Sequence, residues 1–226
     1  MTLSLNRKAA LSLVALFVVM GLLIFAPAGD VRYWRGWAFL AVFVGASVLM
    51  TLDMAARDPA LLARRMKGGP TAETSPTQRL IMLFTSAGFV ALLVVPPFAY
   101  RHGWAPTSAA VAISGDVLVA LGLYGSALVY RENSFAAATI GLADGQRVVS
   151  TGPYAIVRHP LYACALVYLV GMPLALGSWW GLAPLALTLP FLIWRLFDEE
   201  RFLAATLDGY RAYMAAVRWR LAPGVF

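Results

Sequence analysis

Six long apolar runs separated by polar intervals constrain this chain more than any other feature. They are Ala9 to Phe25, Trp34 to Leu52, Leu80 to Phe98, Thr107 to Tyr130, Leu161 to Leu176 and Trp179 to Phe197. At about 1.5 Å per residue, runs of this length approach or match the ~30 Å hydrocarbon core of a bilayer. Backbone polar groups find no water there, so each run must satisfy its own hydrogen bonds as an α-helix. Side chains are 61% hydrophobic and only 13% charged, more apolar surface than a soluble domain of 226 residues could bury. The expectation is an all-α, polytopic transmembrane bundle of about six spans. A signal peptide competes for the first run, and the length of that run favours a membrane helix.

The polar intervals orient the bundle. Of the 18 Lys and Arg, 15 fall in the N-terminus, the 53–79 and 131–158 intervals and the part from Arg195 onward; Arg32, Arg35 and Arg101 fall on the other side. Basic loops stay cytoplasmic, so both termini and these intervals are expected there; 16 Arg to 2 Lys, with abundant Ala, points to a GC-rich bacterial genome and so to a bacterial inner membrane. The net charge of +7 is scattered and forms no stripe, which argues against nucleic acid. The single cysteine, Cys164, excludes an intrachain disulfide and a multi-cysteine metal cluster, and no metal is expected.

Finer local expectations follow from the same pattern. Pro59 to Met66 reads as a short interfacial helix with Leu61, Leu62 and Met66 toward lipid. Pro96-Pro97 closes the third run. Gly115, Gly122 and Gly125 permit close helix packing, while Asp116 in the same run has no assigned role. Gly177-Ser178 leaves only a tight turn, so the last two runs form a helical hairpin. After it, Leu203, Leu207, Tyr210 and Met214 recur at helical spacing and predict a C-terminal amphipathic helix reaching to Pro223.

Candidate chemistry collects in two stretches on the basic side. Val149 to Tyr162 places Gly152-Pro153 as a turn and Pro160 at the first turn of a helix, so His159 and Tyr162 sit where helix N–H groups lack partners. The plain alternative is an interfacial anchor, with Arg158 on lipid phosphate and Tyr154 and Tyr162 in an aromatic belt. The second stretch is Arg195-Leu196-Phe197-Asp198-Glu199-Glu200. Arg195 and Glu199 share a helix face, whereas Glu200 is rotated by about 100°. An arginine among Leu, Ile, Trp and Phe must be paired, and one of the two glutamates can hold it while the other meets a ligand.

Gly152-Pro153-Tyr154, Arg158-His159-Pro160-Leu161-Tyr162, Glu199-Glu200, and Gly209-Tyr210 with Tyr213 before Pro223 resemble the C-terminal signature of membrane methyltransferases. That group includes isoprenylcysteine carboxyl methyltransferase and, more distantly, phosphatidylethanolamine N-methyltransferase. Arg131-Glu132-Asn133-Ser134-Phe135 and Gly145-Gln146-Arg147-Val148-Val149 resemble bacterial members of the isoprenylcysteine type. The likeness covers residues 131–223. It implies 131–226 as the catalytic methyltransferase region, while the apolar runs make residues 1–130 four N-terminal transmembrane helices with a connector at 53–78.

The resemblance further implies an S-adenosylmethionine-dependent enzyme with a cytoplasmic cofactor pocket. His159, Pro160 and Tyr162 would surround the cofactor, Tyr154 would line the pocket, and Glu200 would meet the cofactor's amino group. Arg195, held by Glu199, would face a lipid-like or prenylated acceptor whose reactive end is a carboxylate. The sequence agrees in lacking a Rossmann glycine fingerprint. Two alternatives stand beside this reading: a phospholipid N-methyltransferase, which needs a base such as Glu199 near Arg195, and a non-enzymatic transporter or assembly protein.

Overall fold

The computed structural model describes residues 2–226, whose regular structure is helical, with no β-strand among them. The described helices are α1 (Thr2–Ala28), α2 (Trp34–Arg57), α3 (Pro59–Arg65), α4 (Pro76–Arg101), α5 (Ala109–Glu132), α6 (Pro160–Ala175), α7 (Leu182–Thr206) and α8 (Tyr210–Ala216). Five of them, α1, α2, α4, α5 and α7, are long and apolar enough to cross a membrane. The protein is an integral membrane helical bundle. Against the six spans expected, α6 is apolar but has 16 residues, about 24 Å at 1.5 Å per residue, and falls short of a full crossing.

Successive intervals gather at alternate ends of the bundle. At one end the Arg35 guanidinium donates to Thr107 Oγ1 at 2.9 Å and Thr107 O at 2.8 Å, and Ser178 Oγ donates to Trp104 O at 2.8 Å. At the other, Arg131 grips the Asp53 carboxylate through two 3.0 Å bonds, and Arg64 donates to Ser134 O. The pattern of odd and even intervals expected from the basic residues is therefore the pattern of the two ends. His102 lies far from the candidate chemistry, at the end holding Arg35. Between the ends, Met20, Ile24, Phe39, Leu92, Leu93 and Met172 form a closed core, while Leu11, Leu49, Leu121 and Leu187 face outward as lipid-facing residues should.

Glycines decide which helices touch. A Cβ at Gly115 would lie 2.3 Å from Ala175 N, and one at Gly122 would lie 2.7 Å from Cys164 O, so α5 and α6 meet backbone to backbone. On the other flank Gly88 accommodates Thr188, and the Phe84 and Phe191 rings stack at 4.5 Å, joining α4 to α7. The turn between α6 and α7 is as short as expected, but the two helices pack chiefly on α5 and α4 respectively rather than on each other. Their divergence leaves room between them.

Three local expectations are corrected. Leu61 and Leu62 do not face lipid: they are buried with Ala9, Met54 and Tyr130, because the Asp58 carboxylate caps α3 through Leu61 N (2.8 Å) and turns these leucines inward. Pro96 and Pro97 lie inside α4, which continues to Arg101. The C-terminal part is not one amphipathic helix. Leu207 ends α7, Gly209 adopts φ +80, and only the short α8 follows before irregular chain from Val217. Tyr210, Tyr213 and Val217 nevertheless pack with Leu203, Leu207 and Met214 as the spacing implied, covering Val148 and Tyr154.

Candidate active site

Residues 151–160 form a rigid bend because turn chemistry and side-chain bonds agree. Gly152 takes φ +55, a left-handed conformation that glycine allows, and Thr151 Oγ1 donates to Glu132 beside it. One 3-10 turn, Gly152–Ala155, leads to Arg158 and His159, and Pro160 opens α6 where its missing N–H costs nothing. The backbone N–H groups of Arg158 and His159 donate to Trp219 O and Arg220 O, both at 2.9 Å. The C-terminal segment thus closes over this bend.

Glu200 is the hub of that closure. Its Oε1 accepts from Arg158 Nε at 2.6 Å and contacts His159 Nε2 at 3.2 Å, and its Oε2 accepts from Arg220 Nε at 2.9 Å. Arg158 also donates through Nη1 to Val217 O at 2.8 Å and Arg218 O at 3.0 Å. With Glu200 4% and Arg158 6% exposed, these groups are inside the protein. Arg158 is a tie between the bend, α7 and the tail, not a contact to lipid phosphate.

Glu199 has the opposite setting. Tyr162 Oη donates to its Oε2 at 2.7 Å, and among the described residues its Oε1 has no hydrogen-bond partner. Arg195, one turn earlier, is not held by Glu199. Its Nη1 donates to Gln78 Oε1 at 2.6 Å, and its Nη2 to Glu73 Oε1 at 2.8 Å and Ala138 O at 3.0 Å. The reason is reach: the connector before α4 brings a buried carboxylate beside the guanidinium, leaving Glu199 to the tyrosine. Gln78 in turn donates to Asp198.

These groups meet around a cavity of about 480 Å³. Its polar part is walled by Tyr154, His159, Pro160, Tyr162, Arg195 and Glu199, together with the 135–141 loop and Tyr210 and Tyr213. An apolar lobe continues from there between the helices, past Leu192 and Tyr168 to Phe43, Met82 and Leu123. The phenols of the wall stay protonated. Burial raises the Tyr154 and Tyr210 hydroxyls well above the ordinary tyrosine value and pushes Tyr213 up to about 12. Tyr154 is further fixed by Asn133 Nδ2, which donates to its hydroxyl at 2.9 Å, and by Tyr213 Oη, which donates to its carbonyl at 2.8 Å.

Six residues singled out from the sequence therefore share one cavity: Tyr154, His159, Pro160, Tyr162, Arg195 and Glu199. Glu200 stands behind the wall, bonded to His159, and is not among the residues lining it. The sequence reading missed Glu73, Gln78, Asn133, Tyr213 and Arg220 as supporting groups. Tyr213 and Asn133 lay within the quoted signature and could have been found there. Glu73 and Gln78 carry no motif.

Residues 110–208 match the phospholipid methyltransferase family. This is the family of integral membrane methyltransferases related to isoprenylcysteine carboxyl methyltransferase. The matched stretch runs through α5, the 133–159 loop, α6 and α7, and contains those six cavity residues and Glu200. The chain is also similar to the cobalt-zinc-cadmium resistance protein CzcN of Cupriavidus metallidurans, at 31% identity over 98 residues, which is 43% of this chain and 45% of that protein. The match spans less than half of that relative's length. Among the described residues no group of His, Cys, Asp and Glu is arranged to hold a metal ion.

Proposed function

We propose that the protein is an S-adenosylmethionine-dependent membrane methyltransferase acting on a lipid-like acceptor at the cytoplasmic face. The single observation that carries the reading is the form of the cavity: a polar end at the 151–160 bend continuous with an apolar lobe inside the bundle. A volume of about 480 Å³ lies within the range of ~300–1,000 Å³ usual for small-molecule sites. The wall suits this cofactor. Glu199 Oε1 is a carboxylate oxygen with no protein partner among the described residues, fit for an ammonium, and Tyr154, Tyr162 and Tyr210 line the same cavity with aromatic rings of the kind that attract a cation. Glu199 takes the part expected of Glu200, while Glu200 fixes His159.

When bound, S-adenosylmethionine supplies a methyl group already activated on sulfonium. What the protein must add is alignment and dryness. Tyr162 fixes the Glu199 carboxylate, His159 and Pro160 close the mouth of α6, and Leu192, Leu203 and Leu207 exclude water. The apolar lobe takes the acceptor's tail, and Arg195 and Glu199 stand near its reactive end.

Two acceptor classes fit this frame. In the isoprenylcysteine-like reading Arg195 orients a carboxylate, which arrives already deprotonated. Its pairing with Glu73 and Gln78 is the observation that favours the second, an amine headgroup: the guanidinium charge is already balanced, and in that reading Glu199 serves as the base the amine needs instead of as the partner of the cofactor's ammonium. Methyl transfer to a prenylated cysteine analogue, a fatty acid and phosphatidylethanolamine separates them. Amine methylation that stays lost in Glu199→Gln at saturating S-adenosylmethionine supports the second reading. Carboxylate methylation lost in Arg195→Lys supports the first, and methylation of none of the three contradicts both.

A further inference from the structure

The connector that joins α2 to α4 grips the cavity wall at successive points. Arg64 donates to Ser134 O, Arg65 Nη1 donates to Ala137 O at 2.9 Å, and Glu73 Oε2 accepts from Ile140 N at 3.4 Å. Glu73 closes a ring, since its other oxygen holds Arg195 at 2.8 Å and Arg195 returns to the same loop at Ala138 O, 3.0 Å away. Gly68 leaves room for the loop: a Cβ there would lie 3.1 Å from Ala138 Cβ. Glu73 is 2% exposed, a buried carboxylate at a cost that only such bonds offset. The loop it holds has no regular structure, and residues 135–141 all line the cavity. An irregular segment keeps one shape only where side chains satisfy its backbone groups.

We infer that Glu73 is a positioning residue: with Arg65 and Arg195 it clasps residues 134–141 into the shape of the cavity wall. The site is thus completed by residues outside the matched 110–208 stretch. The ligand consequence rests on the methyltransferase reading above; the clasp itself does not.

Hydrogen exchange resolved over 134–141, measured on the purified full chain in detergent, tests this. In Glu73→Ala, exchange of that segment rises at least about tenfold, the scale of a lost charge-assisted bond, while α5 and α6 keep their protection. Affinity for S-adenosylmethionine, read by equilibrium dialysis, falls by a similar factor. Glu73→Gln, whose amide oxygen can still accept, restores most of both. Unchanged exchange in folded Glu73→Ala, or an increase spread evenly over the bundle, overturns the inference. If Glu73→Ala yields no folded protein, Arg65→Ala is read in the same way, with local loosening expected and unchanged exchange contradicting. Should the wild type bind no S-adenosylmethionine, the proposed function fails and the exchange comparison still decides the clasp.

Discussion

Adjacent glutamates on one helix carry different burdens because they are one residue apart. Glu200 turns inward to Arg158, His159 and Arg220, whereas Glu199 turns to Tyr162 and the cavity. Glu200→Ala leaves two arginines without their carboxylate, so it should destabilise the protein by about 3–5 kcal/mol, read as a lower midpoint in denaturant-induced unfolding. Glu199→Gln keeps the shape and leaves no buried cation unpaired. It should leave that midpoint within about 0.5 kcal/mol and weaken S-adenosylmethionine binding about tenfold or more, the scale of a charged hydrogen bond. Equal destabilisation by both changes would contradict the division of roles. Tyr162→Phe removes the donor that fixes Glu199 and should weaken cofactor binding by less than Glu199→Gln does, because the carboxylate itself remains; unchanged cofactor affinity would contradict it.

At the scale of elements, helix contacts are set by where a side chain is missing. A methyl at Gly122 would meet the backbone of Cys164 and Tyr168, both at 2.7 Å, so Gly122→Ala should push α6 from α5 and cost about 1–3 kcal/mol. Gly45 in α2 has nothing within 4 Å of such a methyl, and Gly45→Ala should gain about 0.5–1 kcal/mol from helix propensity. Melting temperatures of the two variants should move in opposite directions. The apolar runs were legible because a membrane helix must satisfy its backbone locally, and the glycine contacts because small residues at that spacing have few other uses. The break after α7 was not, since Leu203, Leu207, Tyr210 and Met214 keep their spacing through Gly209 although the backbone does not. Arg195 shows the limit for the site: its need of a carboxylate was evident, but the carboxylate, Glu73, lies 122 residues away and was reachable only through the fold.

In the whole molecule, orientation and site go together. Single cysteines at Thr71 and Ser150, in a Cys164→Ala background, should resist an impermeant thiol reagent in intact cells, and one at His102 should react; labelling at Ser150 would put the cavity mouth on the wrong side. The basic intervals, the 151–160 bend and the connector with Glu73 all lie at one end, so a ligand entering there meets Tyr162 and Glu199 before the apolar lobe. The most direct test is equilibrium binding of labelled S-adenosylmethionine to the detergent-purified protein, wild type beside Glu199→Gln. The account predicts saturable binding by the wild type, competed by S-adenosylhomocysteine and weakened in the variant. Absence of saturable binding by folded wild-type protein would contradict it.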